Sequence, residues 1–410
     1  MMTAFVDMAG LLMVIPLLPF YAKTMGGGGF AVAVLMSAFS AAQLISSPFW
    51  GRFSDRHGRR PALLVGLAAS AIGYVVFAYA DSIWLLLASR LVQGAGGGTV
   101  GVIQAYVADA TEPRDRAKSL GWLSAATNVG VTIGPLIGSA SLALGHAAPG
   151  LIAAVLCVAN SVLVFFFLKE ARVPPRAAGD TSVPVRPRAA LWRVLTRPGE
   201  AAPRLIWIYA IGMGAFSGFT AVIALFAASR FGFTAHSIGW IFAWTGAISV
   251  LVRALFLGPL VERMGEARLS RLGQILLAAG LILLPLTWRV PGVLELPFAG
   301  AVELRYVVLM LVIALMPLGT AFTFPCVTAL LSQVIAARER GVMMGAQQTF
   351  GGVTRVLVPL WAGWAFDHLG TPYPFWTSAV LVLGTLFLGF GIEARTGFGG
   401  AAPRVSTPPA

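Results

Sequence analysis

The sequence predicts an all-α membrane protein with twelve transmembrane helices in two six-helix, pseudo-symmetric halves. Three observations carry that expectation. Of 410 residues, 58% are hydrophobic and only 11% charged, against about 25% charged in ordinary soluble domains; with a mean hydropathy of +0.83, this excludes a soluble globular protein. Twelve apolar stretches can be marked, each near the roughly 20 residues a helix needs to cross a bilayer. They are apolar on every face rather than alternating, which excludes a transmembrane β-barrel. Finally, segments of the first half recur in the second at fixed offsets, as repeat-built membrane proteins show.

The spans fall near residues 2 to 22, 30 to 50, 61 to 80, 82 to 108, 118 to 143, 148 to 168, 205 to 229, 237 to 257, 268 to 288, 306 to 332, 342 to 366 and 373 to 393. The first lacks a basic leader and a small-residue cleavage site and carries an acid, Asp7, so it reads as a retained span rather than a signal peptide. Residues 1–169 form the N-terminal half and 204–393 the C-terminal half. Between them, 170–203 is polar and rich in proline and arginine, a mobile connector. Within it Leu191, Trp192, Val194 and Leu195 interleave with Arg193 and Arg197, the pattern of a short interfacial helix. The tail, 394–410, is rich in Gly, Pro and Ala and is expected to be disordered.

The net charge of +13 reports loop topology rather than a nucleic-acid partner. Twenty-two Lys and Arg residues lie on the connector's side of the spans and four on the other, with Arg90, Arg253 and Arg355 inside spans. Basic loops stay cytoplasmic, so the connector and both termini are placed there. Arg far outnumbers Lys, a bias of G+C-rich bacterial genomes, and the expected location is the bacterial inner membrane. Cys157 and Cys326 sit far apart inside apolar runs and read as packing residues. Nothing in the sequence calls for a metal or a cofactor.

The halves match in two places. RDRAKSLG from Arg114 aligns with RERGVMMG from Arg338 at an offset of 224, which also superposes Pro135 on Pro359. GRFSDRHG from Gly51 aligns with GPLVERMG from Gly258 at an offset of 207.

Four patterns bear chemistry. In GRFSDRHGRRP, Gly51 to Pro61, Gly58 suits a tight turn, while Asp55 can attract Arg56, Arg59 or a helix N-terminus. Span five carries Gly121, then Gly130, Gly134, Pro135, Gly138 and Ser139. Three of those glycines form one small-residue ridge that permits close helix approach, and the proline permits a bend. Span four holds Arg90, Gln93 and Gly94, with the arginine about 12 Å deep, where a charge needs a partner or water. Span one places Asp7 ahead of Pro16 and Pro19. It is the one acid well inside a span, since Asp109, Glu303 and Asp367 sit at edges. A carboxylate at that depth is costly to hold charged, which suits it to take up and release a proton. From the residues alone, the ridge can be packing, Arg90 a snorkelling cation and Asp7 an interfacial cap. Arg253, near a span end, can snorkel; Arg355 is deeper.

These patterns together resemble the major facilitator superfamily, and within it the twelve-span drug:proton antiporters that include tetracycline exporters. The resemblance covers nearly the whole chain. It implies that Gly51, Asp55, Arg56, Gly58 and Arg59 form the gating loop, with Asp55 docking near Gly341 when the cytoplasmic side closes. Gly121, Gly130, Gly134, Pro135 and Gly138 match the antiporter signature, with Ser139 replacing its last glycine. It further implies that Asp7 carries the proton under the influence of Arg90. Straight helices leave the two about 9 and 18 Å from the inner end, so a bend, a long rotamer or a water must link them. Span nine lacks the acid of the tetracycline exporters, which argues against tetracycline itself.

Gln43, Gln104, Asn128, Phe216, Phe219, Trp244, Thr323, Gln347 and Gln348 could line a cavity for amphiphiles, which wants aromatic faces and a few hydrogen-bonding groups. The expected partners are a small-molecule substrate, protons and the lipid bilayer, handled by a monomer. A facilitator or symporter is the alternative within transporters, which the span-five signature disfavours. A membrane-embedded enzyme is a weaker one, because the four histidines fall in loops with no nucleophile and base at spacing. The topology has a direct test. A cysteine at Gly179 should resist an impermeant thiol reagent in intact cells and one at Gly292 should react; the reverse pattern overturns the orientation.

Overall fold

The computed structural model describes residues 1–112, 115–168, 187–296, 300–336 and 339–389. The expected tail and the first part of the connector lie outside those residues. Helix α1 (Met2–Thr24) is followed by α2 (Gly29–His57) and α3 (Arg59–Ala78). Next comes α4 (83–109), two α segments joined by a single 3-10 turn at Gly97–Thr99. Then follow α5 (Arg116–Ser141) and α6 (Ala148–Phe167). A short helix α7 (Pro187–Thr196) leads into the second half. That half comprises α8 (Ala201–Phe231), α9 (Ile238–Met264), α10 (Glu266–Arg289) and α11 (Leu304–Val334), then α12 (Arg340–His368) and α13 (Tyr373–Gly389). Each of the twelve expected spans coincides with a helix over its described residues; 390–393 of the last lie outside them. Among the described residues, nine helices are long and apolar enough to cross a membrane. One feature departs from the all-helical expectation: strands β1 (Val293–Leu296) and β2 (Gly300–Glu303) pair antiparallel between α10 and α11.

Local sequence explains the joints. The segment Ile15–Leu17 of α1 tightens to a 3-10 turn where Pro16 and Pro19 lack the amide hydrogens an α-helix uses. Gly58 ends α2 and begins α3 at φ +99°, and Gly265 does the same between α9 and α10 at φ +75°. Both are one-residue turns, and they occupy matching positions of the 207-residue repeat. A side chain in that conformation costs about 1–2 kcal/mol, so glycine is required there.

The short helix α7 belongs to the second half. It buries Ala190 and Val194 against Leu205 and Ile206 of α8, which confirms an amphipathic helix in the connector. Arg193 bonds Glu200 through Nε at 2.6 Å and Glu339, ahead of α12, at 3.0 Å. The hydrogen bond from Arg193 holds the Glu200 carboxyl below the usual carboxylate range.

The halves meet along two seams, α2 against α12 and α5 against α9. We call the end bearing Met1 and α7 the connector face and the other the far face. At the far face Asp367, near the end of α12, accepts the first amides of α2, from Gly29 N and Phe30 N, each at 2.8 Å. Across the other seam, Ser139 Oγ accepts the amide of Gly239 at the start of α9, at 3.0 Å. Deeper in, Ser37 Oγ donates to Val356 O at 2.8 Å. Gly29 and Gly363 bring α2 and α12 into backbone contact.

The apolar core follows the seams. Toward the far face, one cluster runs through both halves, from Leu17, Tyr21 and Phe77 to Phe219, Phe226 and Phe375. Toward the connector face it divides into one cluster of the first half around Trp50, Leu63 and Leu123 and two of the second half, around Leu205, Leu330 and Met343 and around Leu269, Phe322 and Cys326. The halves are therefore joined at the far face and parted at the connector face.

Asp367 caps an exposed helix end, a contact worth about 1 kcal/mol. In a background with Cys157 and Cys326 changed to Ala, Asp367→Ala should speed labelling of Ser37→Cys by a small maleimide about fivefold. An unchanged rate would show that the cap does not hold the far face shut.

Candidate functional site

Between the parted halves lies a cavity of about 930 Å³. Its N-terminal wall comes from α1, α4 and α5, including Asp7, Gln104 and Asn128. The opposite wall comes from α9, α11 and α12, including Arg253, Thr328 and Met344. The remainder is largely apolar, through Met8, Ile103 and Leu123 among others. Drug-sized ligands occupy pockets of roughly 300–1,000 Å³ with this mixture of an apolar body and few polar groups.

Asp7 is held in that wall by the glycines of α5. A Cβ at Gly130 would stand 2.5 Å from the carbonyl of Phe5, and one at Gly134 2.6 Å from that of Ala9. At Gly138 it would collide with the carbonyl of Met13. The ridge therefore seats the backbone of α1 from Phe5 to Met13, the stretch that carries Asp7, and any side chain would lift the helix away. Gly121, in the same sequence pattern, has open space around it. Pro135 lies on another face, with its carbonyl against Gly239 of α9.

Arg90 lies outside the cavity lining. It is 1% exposed, with Nε and Nη2 unpartnered, and its guanidinium stands 5.3 Å from the centre of the Phe77 ring. A cation over an aromatic face is stabilised by about 0.5–2 kcal/mol, less than its desolvation costs. No direct bond joins it to Asp7. Tyr74 of α3 is within electrostatic reach of both. Its hydroxyl is 3.9 Å from where a Cβ of Gly10, three residues beyond Asp7, would stand. Tyr74 was not singled out from sequence, since nothing in the pattern of span three distinguishes it.

The segment expected as a gating loop is the last two turns of α2, the one-residue turn at Gly58 and the start of α3, and it is tied within its own half. Asp55 pairs with Arg59 at 2.7 Å, and Arg59 reaches Asp109 at the end of α4 at 3.1 Å and Ser54 Oγ at 2.5 Å. This buried arginine, 8% exposed, joins the ends of α2, α3 and α4. Gly51 and Gly341 both face open space, as expected where the connector face is parted. Arg56 is exposed.

Of the nine residues expected to line a cavity, Gln104 and Asn128 do so. The other seven are used in helix packing. Gln43 donates to Gly97 O at the 3-10 turn of α4, and Trp244 to Met310 O of α11. Thr323 bonds Ser270 O of α10. Gln347 and Gln348 bond Thr328 and Tyr209. Phe216 packs on the apolar cluster and Phe219 is buried in it. Amide and hydroxyl groups in a membrane helix serve neighbouring helices as readily as a ligand, and composition does not tell the two apart. Arg253, in contrast, was assigned to the membrane edge and instead lines the cavity.

Comparison with known proteins gives one answer. The family model of the Major Facilitator Superfamily matches residues 1–298 and 222–398. Multidrug resistance protein 2 of Bacillus subtilis (strain 168) is 28% identical over 384 residues, covering 93% of this chain and 91% of that one. The class B tetracycline resistance protein of Escherichia coli is 26% identical over 389 residues, covering 93% and 90%. The crystal structure of the human organic anion transporter MFSD10 (TETRAN) superposes with a TM-score of 0.67 at 25% identity, covering 95% and 97%.

The glycine ridge makes a stability prediction. Gly134→Ala forces a methyl group onto a carbonyl of α1, an overpacking of about 1–3 kcal/mol, and should lower the unfolding temperature followed by tryptophan fluorescence. Gly121→Ala should not. Equal melting of the two variants would remove the ridge as the seat of α1.

Proposed function

Because this chain belongs to the Major Facilitator Superfamily, we propose that it is a proton-coupled secondary transporter that exports small amphiphilic compounds by alternating access. The carrying observation is the cavity itself. It lies between two repeat-related halves, is walled by the carboxylate of Asp7, and sits where the halves part at one face and are bonded across at the other. Such an arrangement delivers a compound to one side of a membrane when the seams exchange roles. The names of its relatives, multidrug and tetracycline resistance proteins, support export of drug-like compounds. One chain holds both halves and the whole cavity, so a monomer is a complete transport unit.

The charge asymmetry of the loops puts the connector face in the cytoplasm, and the state described is then open inward. Loading of substrate opposite Asp7 and protonation of Asp7 are mutually exclusive if both use the same carboxylate. Exchange of one for the other follows when the protein changes face only with the site occupied. Tyr74 and Arg90 stand behind Asp7 and set the field it experiences. Arg59 keeps the ends of α2, α3 and α4 together, so that the N-terminal half moves as a body with the Asp55 segment at its leading edge.

Asp7→Asn holds the volume and removes the titration. In everted vesicles the variant should lose accumulation driven by an imposed pH gradient while retaining counterflow of a preloaded compound. Gradient-driven accumulation equal to wild type would show that Asp7 is not the coupling carboxylate. Absence of any flux from the wild-type chain would remove the transport reading altogether.

A further inference from the structure

The cavity contains a second charged side chain that this cycle leaves without a task. Arg253 enters the wall from the half opposite Asp7. Its Nε is buried without a partner, and among the described residues it has no ion pair. The backbone accounts for its position. Val252–Phe256 form a single π turn inside α9. Before that turn, Gly239 and Gly246 are fixed against Pro135, Ser139 and Thr132 of α5. An extra residue in the turn shifts all that follows by about 100° around the axis, so the residues beyond the seam are released from its register. Turns of this kind are costly in hydrogen-bond geometry and gather at functional sites.

A guanidinium in a low-dielectric wall without a counter-ion is expensive, and an occupant bearing a planar anionic group would relieve it through paired, charge-assisted hydrogen bonds. Across the cavity, ionised Asp7 offers the complementary site for a cation. A purely cationic occupant would satisfy Asp7 and leave Arg253 bare. A purely anionic one would be drawn to Arg253 and repelled by Asp7. We propose that this cavity selects zwitterionic amphiphiles, with the cationic group at Asp7, the carboxylate-like group at Arg253 and the apolar body against Met8, Ile103 and Leu123. The proposal rests on the transport reading only in taking the cavity as the substrate site. It also fits exchange, since protonating Asp7 removes one of the two charge contacts and so favours release of the substrate.

The test is binding by the purified full chain in lipid nanodiscs, with no gradient. The probes are a fluorescent naphthalene bearing one primary amine and one carboxylate, its methyl ester and its N-acetyl derivative, each differing by one charge. Wild type should bind the zwitterion about tenfold more tightly than either derivative, the value of one charge-assisted contact. Arg253→Gln should lower zwitterion affinity to that of the ester, Arg253→Lys should keep most of the preference, and Asp7→Asn should lower it to that of the N-acetyl compound. Equal wild-type affinity for ester and zwitterion, no binding of the zwitterion, or equal weakening of all three probes by Arg253→Gln would overturn the proposal. The wild-type ranking decides even if a variant does not fold. Loss of pH-driven flux with this ranking intact would count against the export reading alone, and a flat ranking with flux intact against this one.

Discussion

A helix start leaves amide hydrogens that its own turns cannot satisfy, and two of those starts in this protein are satisfied from the opposite half. Asp367 of the second half closes α2, and Ser139 of the first closes α9. These are the inner helices of the two seams, so the same bonds that complete the backbone also fasten the halves. The remaining architecture follows from where those bonds are. The core is continuous next to them and divided away from them, and the cavity is the space the division leaves.

Helix α5 connects that fastening to the chemistry. Its Gly130, Gly134 and Gly138 recur every four residues and receive α1, whereas Thr132, Pro135 and Ser139 occupy a different side and meet α9. A displacement of α9 against α5 therefore reaches the helix bearing Asp7 through one rigid element. Ser139, which departs from the glycine of the family signature, supplies a hydrogen bond that glycine could not.

Much of this was legible in the sequence, and the reasons are physical. Span lengths follow from apolar runs, the repeat from matched glycines and prolines, and the seat of α1 from the four-residue spacing of small residues. Asp7 stood out because acids in spans are rare. What could not be read depends on pairing between remote segments. Nothing near Asp367 in the sequence announces a partner 338 residues away, and Tyr74 is one aromatic among many. Arg253 reads as a residue near a span end, and nothing in the sequence brings it to a cavity wall opposite Asp7. The seven polar and aromatic residues that do not line this cavity have side chains that suit both packing and ligands, and sequence does not separate those uses. The β1–β2 hairpin lies between residues 289 and 305, an interval that span counting treats only as a connection.

The one-residue turns at Gly58 and Gly265 bear on the molecule's ancestry. Across the eight aligned residues around them, most side chains have changed between the halves, including the acid, which is Asp55 in one copy and Glu262 in the other. The closing glycine has not, because its φ is positive in both. Gly51 and Arg56 also recur, as Gly258 and Arg263, but only at the closing glycine does the backbone angle itself admit a single amino acid. Where two copies have otherwise diverged beyond recognition, such torsional fossils keep the register by which the older, shorter gene can still be aligned with itself.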